Sequence, residues 1–150
     1  MTRKNVRVFL DTSVLFAAVL SSTGGARKLF LLGEAGLLEL VVGPNILREA
    51  DEVVRRKASA SLPLLAQLLE IGKVHTVSAP TPRQIASARK MVAYVPDAQV
   101  LAEAIRSEAD WFVTHDKEHF LKAKATINLS FEIGTPGDLL QKFKDEFYLP

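Results

Sequence analysis

The sequence predicts an α/β domain built on a mostly parallel sheet with helices over both faces, and three observations carry that prediction. Short apolar runs rich in β-branched and aromatic residues, VRVFL at 6–10, LLELVV at 37–42 and WFVT at 111–114, alternate with longer segments of helical spacing. Apart from Arg7, Glu39 and Thr114 the runs are apolar and do not alternate strictly with polar residues, as expected of strands covered on two sides. Strand and helix follow one another along the chain, the pattern that builds parallel sheets.

Taken in order, residues 6–10 form a buried strand, and Asp11, Thr12 and Ser13 are its exit, with Thr12 or Ser13 as cap of a helix over 14–20. SSTGG at 21–25 is a loop. Ala26, Leu29, Phe30 and Gly33 are spaced as one helical face, ending near Gly36, before the strand at 37–42. Gly43 and Pro44 mark a turn, and proline suits a first helical position. Ile46, Leu47, Ala50, Val53 and Val54 then keep a helical stripe, with Arg55, Arg56 and Lys57 near its end. Ser61 is placed to cap a helix through Leu64, Leu65, Leu68 and Leu69 that closes near Gly72. VHTV at 74–77 is a weak strand, APTP at 79–82 breaks the chain, and a helix over 83–94 follows. The clearest helix comes after Pro96. Ala98, Leu101, Ala102, Ile105 and Ala109 recur at helical spacing, while Gln99, Glu103, Arg106 and Glu108 fall on the other side. A strand at 111–114, a short helix over 117–120 and a strand within 126–133 come next. TPGD at 135–138 then opens a last helix, with Thr135 as cap and Pro136 first.

A chain of 150 residues, 48% hydrophobic, suits one domain over 1–150 and excludes a disordered polymer. It has no cysteine, hence no disulfide framework, thiolate nucleophile or cysteine zinc site. The N-terminal apolar run is broken by Asp11 and does not read as a signal peptide, and no run approaches a membrane span. A cytoplasmic protein is expected. Nineteen Lys and Arg against 17 Asp and Glu lean only mildly toward anionic partners.

Chemistry is carried by four acids. Asp11 interrupts an apolar run, where an unpaired carboxylate costs several kcal/mol, so it requires donors, a cation or water. Asp116 follows the 111–114 strand, while Glu49 and Asp97 sit in early helical turns shortly after a proline. Ligands of open parallel sheets bind beyond the carboxyl ends of the strands where the strand order reverses, the edge at which these acids would meet. Two carboxylates 4 Å apart repel by about 4 kcal/mol at an effective dielectric of 20, so a cluster takes up protons or cations. Oxygen donors select hard divalent ions such as magnesium or manganese, which suit phosphodiester hydrolysis. Among Glu49, Asp51 and Glu52, the residue types alone single out no one acid. Ser13 and Thr114 are auxiliary polar groups, each within reach of a metal-bound water or a carboxylate. His115 and His119 are read as surface residues and Asp110 as structural. Arg48, Arg55, Arg56 and Lys117 are candidate contacts to the phosphates of a polyanion, which would position a strand without reading its bases.

The chain resembles the PIN-domain nucleases. FLDTSVL at Asp11, GPNILREADEVV at Glu49, VPDAQVLAEAIRSEADWFVTHDKEHF across Asp97 and Asp116, and INLSFEIGTPGDLL near the end carry the resemblance. The third piece is the most specific, because acid, helix, strand and second acid arrive in the family's order and spacing. The resemblance implies a three-layer α/β/α sandwich and a magnesium- or manganese-dependent endoribonuclease. It makes Asp11, Glu49, Asp97 and Asp116 the catalytic, metal-holding positions. Ser13 departs from it, since the family often has asparagine there. Small members of this kind, related to the VapC group, are often toxins of toxin–antitoxin pairs, dimeric and silenced by a small antitoxin protein that covers the cleft. The main rival is a non-catalytic RNA-binding or protein-interaction module on the same fold. A haloacid-dehalogenase-type phosphatase is disfavoured because Ser13 stands where that class has a second aspartate. A receiver domain is disfavoured because no phosphate-accepting aspartate after a central strand is evident.

Overall fold

A computed structural model of the chain describes residues 5–126 and 129–147. Five strands, β1 (Val6–Leu10), β2 (Leu38–Val42), β3 (His75–Thr76), β4 (Trp111–Val113) and β5 (Glu132–Gly134), form a sheet in the order β3-β2-β1-β4-β5. Every neighbouring pair is parallel. The helices are α1 (Thr12–Leu20), α2 (Gly25–Glu34), α3 (Pro44–Lys57), α4 (Leu62–Ile71), α5 (Pro82–Met91), α6 (Val95–Arg106), α7 (Lys117–Thr126) and α8 (Pro136–Phe147). They flank the sheet in the expected α/β/α arrangement, α1 to α4 packing on one another and α5 on α6. No single helix among the described residues is long and apolar enough to cross a membrane.

The central strand explains the first apolar run. Phe9 is paired with Val41 of β2 on one side and Phe112 of β4 on the other, and Val8, Phe9 and Leu10 are fully buried. Phe112 carries an aromatic cluster, 5.4 Å from Phe9, 4.7 Å from Phe120 and 6.0 Å from Phe131 between ring centres. Successive strands step outward from β1 to β3, and the chain then crosses to β4 on the other flank of β1. The order therefore reverses between β1 and β4, and the carboxyl ends of these two strands are where an open parallel sheet offers a ligand crevice.

The structure differs from the sequence-based expectations mainly at element ends. Asp11, not Thr12 or Ser13, occupies the cap position of α1, and its backbone carbonyl accepts from Val14 N at 3.0 Å while its side chain makes no cap bond. Ser61 stands before α4, also without a side-chain cap bond. An unforeseen capping box opens α5, where Thr81 and Gln84 exchange side-chain-to-backbone bonds at 3.2 and 2.9 Å. The cap at Thr135 forms as expected, with Asp138 N donating to Thr135 Oγ1 at 3.1 Å. The helix placed at 117–120 extends through Thr126, and the strand placed within 126–133 narrows to Glu132–Gly134, positions 127 and 128 lying outside the described residues.

Glu103 requires a correction of substance. Helical spacing put it on the polar side of α6, yet it is 1% exposed and sits against the start of α3. Glu103 Oε2 accepts the Asn45 N–H at 2.7 Å. Burial raises its pKa, opposed by the Asn45 and Ile46 N–H groups and the Arg48 charge. A carboxylate at a helix N-terminus meets unsatisfied N–H groups and the positive end of the dipole.

A stability prediction arises at the other end of α6. Glu108, just past that helix, has φ of 55°, a left-handed conformation that costs a residue with a Cβ about 1 kcal/mol. Glu108→Gly is therefore expected to stabilise the fold by about 0.5–1 kcal/mol, read as a higher midpoint in urea with unchanged slope.

Candidate active site

The crevice between β1 and β4 is built from their exits. Asp11 N donates to Val113 O at 3.0 Å, which joins the two strand ends directly. Two hydroxyls converge on Asp11 Oδ2, Thr114 Oγ1 at 2.7 Å and Ser13 Oγ at 3.1 Å. The same hydroxyls accept backbone N–H groups from the β4 exit, Asp116 N on Thr114 Oγ1 at 2.9 Å and His115 N on Ser13 Oγ at 3.1 Å. Thr114 is fully buried. One small network thus orients the Asp11 carboxylate and fixes the backbone that presents Asp116. Of the two roles open to Ser13 and Thr114, the structure shows bonding to the carboxylate.

Glu49 comes to this crevice on α3 and Asp97 on the first turn of α6. Their electrostatics tie the four acids together. The Asp11 pKa is raised, first by burial and then by the Asp116 charge, against the lowering effect of its hydrogen bonds. The Glu49 pKa is raised by burial and by the charges of Asp11, Glu52 and Asp97. The Asp97 pKa is raised by burial and by Asp116, with the His119 ring opposing. The Thr12 hydroxyl, buried without a partner of ordinary hydrogen-bond geometry, favours the charged form of Glu49 only weakly. His119, expected simply at the surface, is 65% exposed on its side chain but lies 3.7 Å from Asp97 Oδ2 through Nδ1. It joins the rim of the site.

Donor chemistry fits a hard cation, since the acids supply oxygen ligands whose charges are mutually unfavourable. Among the described residues, however, no three Asp, Glu or His side chains converge on one ion position. Glu49 and Asp116 are exposed and Asp97 half-buried, so their side chains have room to change rotamer.

The candidate phosphate contacts separate. Arg48 lies beside Glu49 and donates to Asn45 Oδ1. Arg55 is held by Asp51 at 2.8 Å and borders the groove between α3 and α4 with Leu47 and Leu62, while Arg56 is exposed in the last turn of α3. Lys117 is paired with Asp138 at 3.0 Å. Asp110 is structural as expected, its carboxylate accepting Arg7 N at 2.8 Å at the far end of β1.

Raised carboxyl pKa values set the sign of a pH effect. The native state holds these protons more tightly than the unfolded chain, so the contribution of each acid to stability falls as pH rises through its native pKa. Glu49→Gln is accordingly expected to raise Tm in a chelator slightly near pH 7, solvent screening at this exposed position keeping the gain small, and the gain shrinks toward about pH 4. Thermal melts across that range check it.

Three solved structures share the fold at low identity. PAE2754 from Pyrobaculum aerophilum is 18% identical with a TM-score of 0.65, covering 94% of this chain and 97% of its own. VapBC2 from Rickettsia felis, bound to a DNA fragment from its promoter, is 16% identical with a TM-score of 0.61 over 85% of this chain and 98% of that one. VapC20 from Mycobacterium tuberculosis, a Sarcin-Ricin loop cleaving toxin, is 15% identical with a TM-score of 0.55 over 83% and 98%. A search of curated proteins gives no match. The PIN domain family model matches residues 7–118, a span that holds Asp11, Glu49, Asp97 and Asp116. PIN domains are typically metal-dependent nucleases. With most of its length matched, from β1 to the opening of α7, this chain belongs to the PIN-domain family.

Proposed function

We propose that the chain is a magnesium- or manganese-dependent endoribonuclease that hydrolyses RNA phosphodiester bonds. We further propose that it is the toxin of a toxin–antitoxin pair, acting in the cytoplasm as a homodimer whose cleft a small antitoxin protein covers. The enzymatic reading is supported by the raised pKa values of Asp11, Glu49 and Asp97, each disfavoured by burial and by the charge of another of the four acids, near the strand-order reversal. The toxin reading rests on the likeness of fold to VapBC2 and VapC20.

Asp11, Asp97, Asp116 and Glu49 would hold the ion. A divalent ion bound there supplies acidified water and neutralises charge on the phosphate. The chain does the positioning. Thr114 and Ser13 fix the Asp11 carboxylate in one orientation, and Thr114 fixes the backbone at Asp116. His119 lies beside Asp97 at the rim. The acids by themselves repel a polyanion, so RNA approach depends on the ion and on neighbouring cations such as Arg48.

The test is cleavage of mixed RNA with Mg²⁺, Mn²⁺ or a chelator, followed by end-group analysis. Metal-dependent fragments bearing 5′-phosphate and 3′-hydroxyl ends are expected. A non-catalytic module is the second reading, favoured by the lack of three convergent ligands among the described residues. It predicts intact RNA under all three conditions and no heat of Mn²⁺ binding by calorimetry.

A further inference from the structure

Beside the acids, α3 and α6 enclose a polar pocket of about 180 Å³. Ligand sites for whole drug-sized molecules run to about 300 Å³ and more, so this one has room for a single ring system. Its polar groups are Asn45, Arg48 and Glu52 from α3 and Gln99 from α6, with Pro96 and Val100 as the apolar wall and Glu49 at the shared edge. Three of these side chains, Asn45, Arg48 and Gln99, are linked to one another before any ligand arrives. Asn45 Nδ2 donates to Gln99 Oε1 at 3.4 Å, Arg48 donates to Asn45 Oδ1, and the Asn45 backbone is anchored on buried Glu103 at 2.7 Å.

Charge decides what fits. Glu49 and Glu52 make the pocket a poor host for phosphate, whereas a neutral base suits it. An arginine such as Arg48 only donates hydrogen bonds and a carboxylate only accepts them, while the two amides do both. Guanine alone among the four RNA bases presents two adjacent acceptors, O6 and N7, together with two adjacent donors, N1–H and N2–H₂. Arginine pairs with the first edge, and a carboxylate accepts from the second. Single-stranded RNA bases are read in this way once splayed out of a stack. Tyr94, 64% exposed at the head of α6 and two residues before Pro96, offers an aromatic face for a neighbouring base.

We propose that the pocket formed by Asn45, Arg48, Glu52 and Gln99 is a guanine-binding subsite that sets where RNA is cut relative to the acidic cleft. This rests on the ribonuclease reading and adds the base it selects.

The experiment has two arms on the full chain. In the first, cleavage sites in a randomised RNA pool are sequenced for native protein, Gln99→Ala and Glu52→Gln. Guanine is expected at one fixed position from the cut in native protein, with that preference falling about tenfold in each variant while total cleavage persists. Cleavage without a guanine preference, or a preference equally strong in both variants, overturns the subsite and leaves the nuclease standing. In the second arm, the native protein is titrated with guanosine, adenosine, cytidine and uridine monophosphates while the side-chain amide resonances of Asn45 and Gln99 are followed. Shifts with the guanine nucleotide alone support the pocket, and shifts with none or with all four overturn it. That arm decides the subsite even if no RNA is cut in the first, a result that would itself end the nuclease reading.

Discussion

Asp11→Asn is expected to reduce metal-dependent RNA cleavage by about a thousandfold or more while leaving the fold as stable as before. The two halves of that expectation come from different atoms. Asparagine keeps an oxygen to accept the bonds that Thr114 and Ser13 make to Asp11 at 2.7 and 3.1 Å, so the strand exits stay tied. What it removes is a charge that burial and Asp116 already disfavour, so the metal-free protein loses nothing by the change. Activity is another matter, because a metal ion's stabilisation of transition-state charge is worth several kcal/mol and each 1.36 kcal/mol is tenfold in rate. Initial rates with Mn²⁺, taken with thermal melts in a chelator, check both halves. A native-like rate would remove Asp11 from the machinery. A collapsed Tm would show that its role is structural.

The largest expected loss of stability lies at Gly43→Ala. Gly43 precedes α3 with φ of −100°, a conformation open to any residue, so backbone freedom does not demand glycine here. Space does. A Cβ at that position would overlap the carboxyl group of Glu103, which approaches the helix start to accept Asn45 N–H. Moving that group away strands a buried carboxylate and a helix-terminal N–H together. We expect a cost of about 2–3 kcal/mol, and a fall in Tm of about 5–10 °C. Glu103→Ala should lose a similar amount, whereas Glu103→Gln, which retains an acceptor oxygen, should recover most of it. Urea unfolding of the three variants distinguishes these outcomes, and a Gly43→Ala protein as stable as the native one would contradict the packing described. Since Asn45, Arg48 and Glu49 ride on the first turns of the same helix, cleavage should weaken along with the fold.

Much of this protein is determined by its sequence alone. The largely apolar runs within residues 6–10, 37–42 and 111–114 supply β1, β2 and β4 because residues of that type bury on both faces of a covered sheet. Asp11 and Asp116 are visible as candidates because each closes such a run, and a charge there is costly unless the site has a use for it. Local pattern also places Pro44 and Thr135 at helix starts. Residues that depend on another element's position are beyond that kind of inference. Glu103 falls on the polar side of its own helix, and only the docking of α3 turns that side into the interior. His119 meets Asp97, and Asn45 meets Gln99, through contacts between segments 22 and 54 residues apart. Helical periodicity states which residues share a face. What covers that face is decided when the strand order reverses between β1 and β4, bringing the starts of α3 and α6 to the same edge, where the electrostatic coupling among the acids first exists.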